Sequence, residues 1–254
     1  MTGRTMFLGS RSSSRGPVAF ILHFMAWAIL FLELAHGADP CKRWDELQAL
    51  IRDGLIPSPI AKEEIVRLHT ELFSLYRERD VNFQKRAFPV EGCSPADIGG
   101  RRGSGFVAKG YNFYDGNRHL GHPAHDIFIR DKDQDSRDDR SGKKVRVRAF
   151  ASGVVVGVNR GWRPGSELRG GNYVWVFSPR AELYCYYAHL EDVWVEPCDW
   201  VNAGEVLGTV GRTGKNAFPS RSPTHLHFMC LEFQGGEMRP LNPYEDLLRA
   251  ASIE

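Results

Sequence analysis

Residues His225–Phe233 read HLHFMCLEF. Side chains on a β-strand alternate between its two faces, so a strand here points His225 and His227 the same way. Working outward, the same β texture recurs at Val145–Phe150, Gly153–Asn159, Tyr173–Ser178, Glu182–Leu190 and Val206–Val210, with Gly, Pro and Asn between the runs. A parallel α/β architecture needs helices between its strands, and no helical pattern separates these. The expected fold is mainly β: an open antiparallel β-sandwich or barrel-like sheet.

Ahead of that region, Asp39 to about Asp80 is helical in pattern. Ser58-Pro59 makes a helix start, and Ile60, Ile65, Leu68, Leu72, Leu75 and Tyr76 recur at three- and four-residue steps. This small lead segment is expected to pack one face on the main domain and to carry no chemistry. Residues 91–105 are glycine-rich and mark a boundary. Asn242-Pro243 opens a short C-terminal helix.

At the N-terminus, Arg4, Arg11 and Arg15 precede the uncharged run Pro17–Leu32, and Ala35 and Gly37 follow. Basic flank, apolar run and small residues in alternation read as a secretory signal cut after Gly37 or Ala38. The run is near membrane-spanning length, so the alternative is an uncleaved anchor. The expected division is therefore 1–37 signal peptide, 38–105 helical lead segment and linker, 106–240 main domain, and 241–254 C-terminal helix. The expected location is outside the cytosol: periplasm, cell envelope or exterior. Cleavage removes three arginines and Glu33, which takes the formal charge from +2 to neutral. A neutral mature chain offers no broad basic face, so neither nucleic acid nor a membrane is expected as a partner. Five cysteines lie beyond the signal, where an oxidising compartment favours one or two disulfides, and the odd count leaves at least one unpaired.

The chemistry concentrates in three places. Arg118–Ile129 reads RHLGHPAHDIFI, with His119, His122, His125 and Asp126. Tyr187-Ala188-His189-Leu190 ends a strand, with Tyr187 expected on the face of His189. His225 and His227 form the third locus. Histidines on three segments with a carboxylate suit a catalytic zinc, which takes three N/O ligands and keeps one position open for water. The loop Asp131–Lys144 carries aspartates at 131, 133, 135, 138 and 139. It resembles the start of a calcium loop but lacks the glycine at its sixth position and the glutamate at its twelfth. Calcium at Asp131–Asp139 is one reading, and a solvated hairpin tip is the other. Trp162 and Tyr173 are candidates for stacking on a substrate, with core packing the alternative for Tyr173.

In combination, His122-x-x-x-Asp126, Tyr187-x-His189-Leu190 and His225-x-His227-Phe228 resemble the lysostaphin/LytM-type zinc metallopeptidases. VNAGEVLG (201–208), VGRTG (210–214) and PTHLHF (223–228) resemble that family's scaffold motifs, and the resemblance runs from about Asn112 to Phe233. It implies one Zn2+ held by His122, Asp126 and His227, with His189 and His225 as catalytic histidines beside it. It further implies a metalloendopeptidase acting on peptidoglycan peptides, at cross-links or stem peptides. A non-catalytic binding or amidase-activating module of the same fold is the alternative. One departure stands out. The family's His-x-Gly-x-Asp is here His122-Pro123-Ala124-His125-Asp126, and His125 and His119 are expected outside the metal's ligand set.

Overall fold

The computed structural model describes residues 39–79 and 81–250, so the expected signal peptide lies outside the described residues. Helix α1 (Pro40–Arg52) is set by Asp39, whose carboxylate accepts from the Cys41 N–H at 3.0 Å, with Pro40 in the first turn. Such a cap is worth about 1 kcal/mol. Helix α2 (Ser58–Tyr76) has Pro59 in its first turn and buries Ile65, Leu68 and Leu72. Residues from Ala38 onward cluster as one unit.

Among the described residues, nine strands make one antiparallel sheet. Its path runs β1 (Ala124–Phe128), β8 (His225–Gln234), β5 (Leu183–Val193), β4 (Asn172–Ser178), β3 (Gly153–Asn159) and β6 (Trp200–Val201). Two short strands, β2 (Arg146–Arg148) and β7 (Val206–Val210), pair with each other, and β7 joins β5. The last strand, β9 (Glu237–Leu241), pairs with the end of β8 beyond the reach of β1. Strands β1 and β6 end the path and do not pair, so the sheet is open rather than closed into a barrel. Helix α3 (Tyr244–Arg249) follows. Among the described residues, no helix is long and apolar enough to cross a membrane.

Period-two alternation sorts the sheet into two faces. Val174, Val176, Cys185, Tyr187, Leu226 and Phe228 point into the main core with Phe150 and Val155. Each fully buried large side chain there contributes roughly 1.5–3 kcal/mol. Tyr173, Trp175, Tyr184 and Tyr186 point to the opposite face. The helices cover one half of it: Trp44 stacks on Tyr184 at 5.5 Å and meets Trp175 edge-on at 5.6 Å. From α2, His69 stacks on Phe233 and places Nδ1 3.0 Å from the Tyr184 hydroxyl. Burial pushes the His69 imidazolium down to about 4, so this ring packs as a neutral group. The other half of the face is open, and the histidines lie there.

All five cysteines are thiols in the structure. Cys185 and Cys230 face each other across β5 and β8 with sulfurs 3.4 Å apart. Cys41 and Cys198 lie within 4.8 Å of each other beside Asp39. Cys93 stands apart from both pairs.

Candidate active site

His122 enters from the segment before β1, Asp126 from β1, and His225 and His227 from β8. The β1–β8 register puts Asp126 directly across from His227. Odd-numbered β8 residues and Asp126 therefore share the open face, as the HLH alternation predicts. His189 reaches that face by another route. In the β4–β5 ladder Asn172 pairs with Leu190 and Tyr173 with Ala188, so His189 is an unpaired bulge residue. Its φ of +67° is left-handed, a strained conformation for a residue with a Cβ.

That bulge is pinned from three sides. The His189 N–H donates to the Gly170 carbonyl at 2.9 Å, and its Nδ1 donates to the Thr213 carbonyl at 2.8 Å. The Thr213 hydroxyl donates to the Leu190 carbonyl and accepts from the Asn172 N–H. Gly214 permits the approach: a Cβ on it would lie 2.9 Å from His189 Nδ1 and 2.4 Å from the Arg169 carbonyl oxygen. The VGRTG motif thus holds a site histidine in place.

The bulge also corrects the expectation for Tyr187. Alternation without a bulge puts it on the face of His189, but Tyr187 is in the core, where its hydroxyl accepts from the Phe150 N–H at 2.8 Å. Tyr186 takes its place beside the histidines, with its ring 6.2 Å from His227.

Three imidazoles converge on one carboxylate oxygen of Asp126: His227 Nδ1 at 3.1 Å, His122 Nε2 at 3.3 Å and His225 Nε2 at 3.7 Å. Burial alone would raise the Asp126 carboxyl, but hydrogen bonds from His122 and His227 hold it far below the usual carboxylate range. Asp126 raises the proton affinity of His122, whereas burial lowers that of His227. Burial, reinforced by His225 and His227, pushes His189 well down.

Outer hydrogen bonds settle the tautomers. His122 Nδ1 lies 3.0 Å from the Gly105 carbonyl, and His225 Nδ1 lies 2.7 Å from the Pro223 carbonyl. A carbonyl only accepts, so each Nδ1 carries a proton, and in the neutral imidazole each Nε2 then turns a lone pair toward the carboxylate. Lone pairs converging on an anion repel, and a cation between them relieves this. His122, Asp126 and His227 offer ligand atoms within 4.8 Å of one another. Two imidazoles and a carboxylate are a donor set that zinc accepts, and the carbonyl behind His122 orients its ring as outer partners of metal ligands do.

The other sequence candidates resolve differently. His125 faces away from Asp126 and is fully buried between Phe106 and Tyr244, with Nε2 2.8 Å from Asn242 Oδ1. His119 is half-buried against Tyr111, outside the three-residue cluster. Tyr173 lines the cavity, its hydroxyl accepting from Gln48 and Arg52. Trp162 packs on Phe218 instead, away from the histidines. Asp131, Asp133 and Asp139 do bring carboxylates together. Asp131, however, spends its oxygens on the N–H groups of Asp135 and Ser136 and on the Thr224 hydroxyl at 2.6 Å. Thr224 in turn accepts from the buried Arg212 at 2.9 Å. This loop therefore braces the residue before His225, and nothing supports calcium in it.

The histidines line a cavity of about 290 Å³. Sequence periodicity did not reveal five of its other residues. Gln48, Ile51 and Arg52 form a wall from α1, so the lead segment takes part in the site. Arg169 comes from the β3–β4 loop, and Tyr186 through the bulge.

Residues 137–243 match peptidase family M23. The match begins after His122 and Asp126. Lysostaphin of Staphylococcus simulans is 34% identical over 82 residues, which are 32% of this chain and 15% of that protein. The chain thus spans a small part of that relative's length. Among solved structures, the catalytic domain of lysostaphin from the same species is 26% identical, covering 56% of this chain and 86% of that one, with a TM-score of 0.37. A putative glycyl-glycine endopeptidase LytM from Ruminococcus gnavus is 23% identical over 87% of this chain and 86% of that one, with a TM-score of 0.44. From the acidic loop through β9, this chain is similar to peptidase family M23.

Proposed function

We propose that the chain is an exported zinc metalloendopeptidase that hydrolyses amide bonds in peptidoglycan cross-links or stem peptides. The observation that carries this reading is the convergence of His122 Nε2, His227 Nδ1 and the Asp126 carboxylate in a cavity that also holds His189 and His225. The match of residues 137–243 to peptidase family M23 supports peptide hydrolysis. All five positions of the pattern are occupied, so nothing favours an inactive module.

His122, Asp126 and His227 would hold the metal. Bound zinc supplies a Lewis acid and makes water acidic enough to be a nucleophile near neutral pH. The protein's own groups do the rest. His189 and His225 both donate Nδ1–H to backbone carbonyls, which leaves each Nε2 free to accept a proton. Asp126 lies 3.7 Å from His225 Nε2, which keeps that nitrogen beside the metal ligands. His189 sits 4.9 Å from His225, ring centre to ring centre. Its burial favours giving up a proton once it has one, as transfer to a leaving amine requires. The walls from Tyr173, Tyr186 and α1 bound the cavity, and charge interactions against such protein walls are stronger than in bulk water.

Chelation tests the metal. Purified protein should carry about one zinc per chain, lose peptide hydrolysis when stripped, and regain it with zinc. Activity that survives complete metal removal overturns the proposal.

A further inference from the structure

We infer that Arg169 binds a carboxylate of the substrate, so that the enzyme selects peptides bearing a free acid close to the cleaved amide. The inference rests on the peptidase reading above and assigns the substrate chemistry of the same cavity.

The charges along the cavity are nearly all committed. Asp126 is engaged by three imidazoles. Arg52 is held in a two-point fork by its neighbour Asp53, at 2.6 and 2.8 Å, and gives its remaining Nη1 to the Tyr173 hydroxyl at 2.6 Å. Arg169 differs. Among the described residues no carboxylate lies within ion-pair distance of it, and its only hydrogen bonds run from Nη1 to the carbonyls of His119 at 3.0 Å and Asn117 at 3.4 Å. Among the described residues, its Nε and Nη2 donors make no hydrogen bond. Arg169 lines the same cavity as His122, Asp126, His225 and His227, which places its charge beside the metal cluster.

The group is also rigidly mounted. The Leu168 carbonyl accepts from the Lys215 N–H at 2.9 Å, and the Gly170 carbonyl accepts from the His189 N–H at 2.9 Å. The residues on both sides of Arg169 are thus tied to elements that position His189. Two carbonyls fix one arm of the guanidinium and leave the Nε–Nη2 edge for a ligand. That edge matches the two oxygens of a carboxylate, an arrangement lysine cannot reproduce. A half-buried cation without a counter-ion, fixed beside the reacting centre, is arranged for an anion that arrives with the substrate. The acid can be the α-carboxylate at a chain end or an acidic side chain.

The test uses the full mature chain loaded with zinc and a set of short cell-wall peptides. One pair differs only in a free or amidated C-terminal carboxylate, and the other only in a free or amidated side-chain acid. Wild type should favour the free acid of one pair by about 10- to 100-fold in kcat/KM, as expected for a charge-assisted hydrogen bond. The pair that shows the preference names the source. Arg169→Met should erase the preference by raising KM for the acid more than for the amide, and Arg169→Lys should restore only part of it. Equal treatment of acid and amide by wild type overturns the inference, as does an Arg169→Met loss that falls equally on both. If no peptide is cleaved, the peptidase reading fails separately, and equilibrium binding of the same pairs decides. Discrimination lost in Arg169→Met supports the carboxylate site, and equal binding overturns it.

Discussion

Replacing Asp126 with alanine is expected to abolish measurable hydrolysis, with a loss on the order of 10³-fold or more. Several kcal/mol of transition-state stabilisation depend on the metal, and each 1.36 kcal/mol is a factor of ten in rate. The same change should empty the zinc site. Asp126 supplies the only carboxylate of the cluster, and one of its oxygens faces His122, His225 and His227 together. Asp126→Asn keeps the shape and loses the charge, so it should also lose zinc. Both variants should remain folded, because the side chain lies on the open face and the core beneath it is formed by Ile127, Leu226 and Phe228. Circular dichroism and zinc content, read on the same samples, separate loss of metal from loss of fold. Full zinc occupancy in Asp126→Ala would contradict the assignment.

His225→Ala should have an effect of comparable size through a different step. Zinc content should stay near one per chain, because His122, Asp126 and His227 remain. The turnover number should fall by about 10²- to 10⁴-fold, the usual range for a lost general acid or base. KM should change little, because His225 acts on a proton rather than on binding. A drop in zinc parallel to the drop in rate would instead make His225 a ligand.

The parts of this structure that the chain spells out locally are those governed by a simple period. Gly153–Asn159 and Val206–Val210 are strands to the residue, because their small and valine-rich runs end at turns. Ser58 starts α2 as its proline pair predicts. The pairing of Asp126 with His227 follows from alternation on two neighbouring strands once their register is known. The features that escaped sequence reading depend on contacts distant in the chain. A single left-handed residue at His189 exchanges Tyr187 for Tyr186, and nothing in YYAHL marks a bulge. Arg169 sits in a loop without periodicity, and its role follows from carbonyls some fifty residues upstream. The two-residue β6 and the polar, proline-containing β9 carry too little alternation to stand out. Helical spacing exposed the apolar stripe of the lead segment but not the surface it covers, so the part of α1 in the cavity wall was hidden.

The central claim is that this cavity cuts peptide bonds of the cell wall. Mass spectrometry of peptidoglycan of defined composition, incubated with the zinc-loaded chain, tests it most directly. The account predicts released muropeptides in which each pair of products sums to its parent plus one water, at a single type of peptide bond, absent with Asp126→Ala. Peptidoglycan left intact by folded, zinc-loaded protein would contradict it.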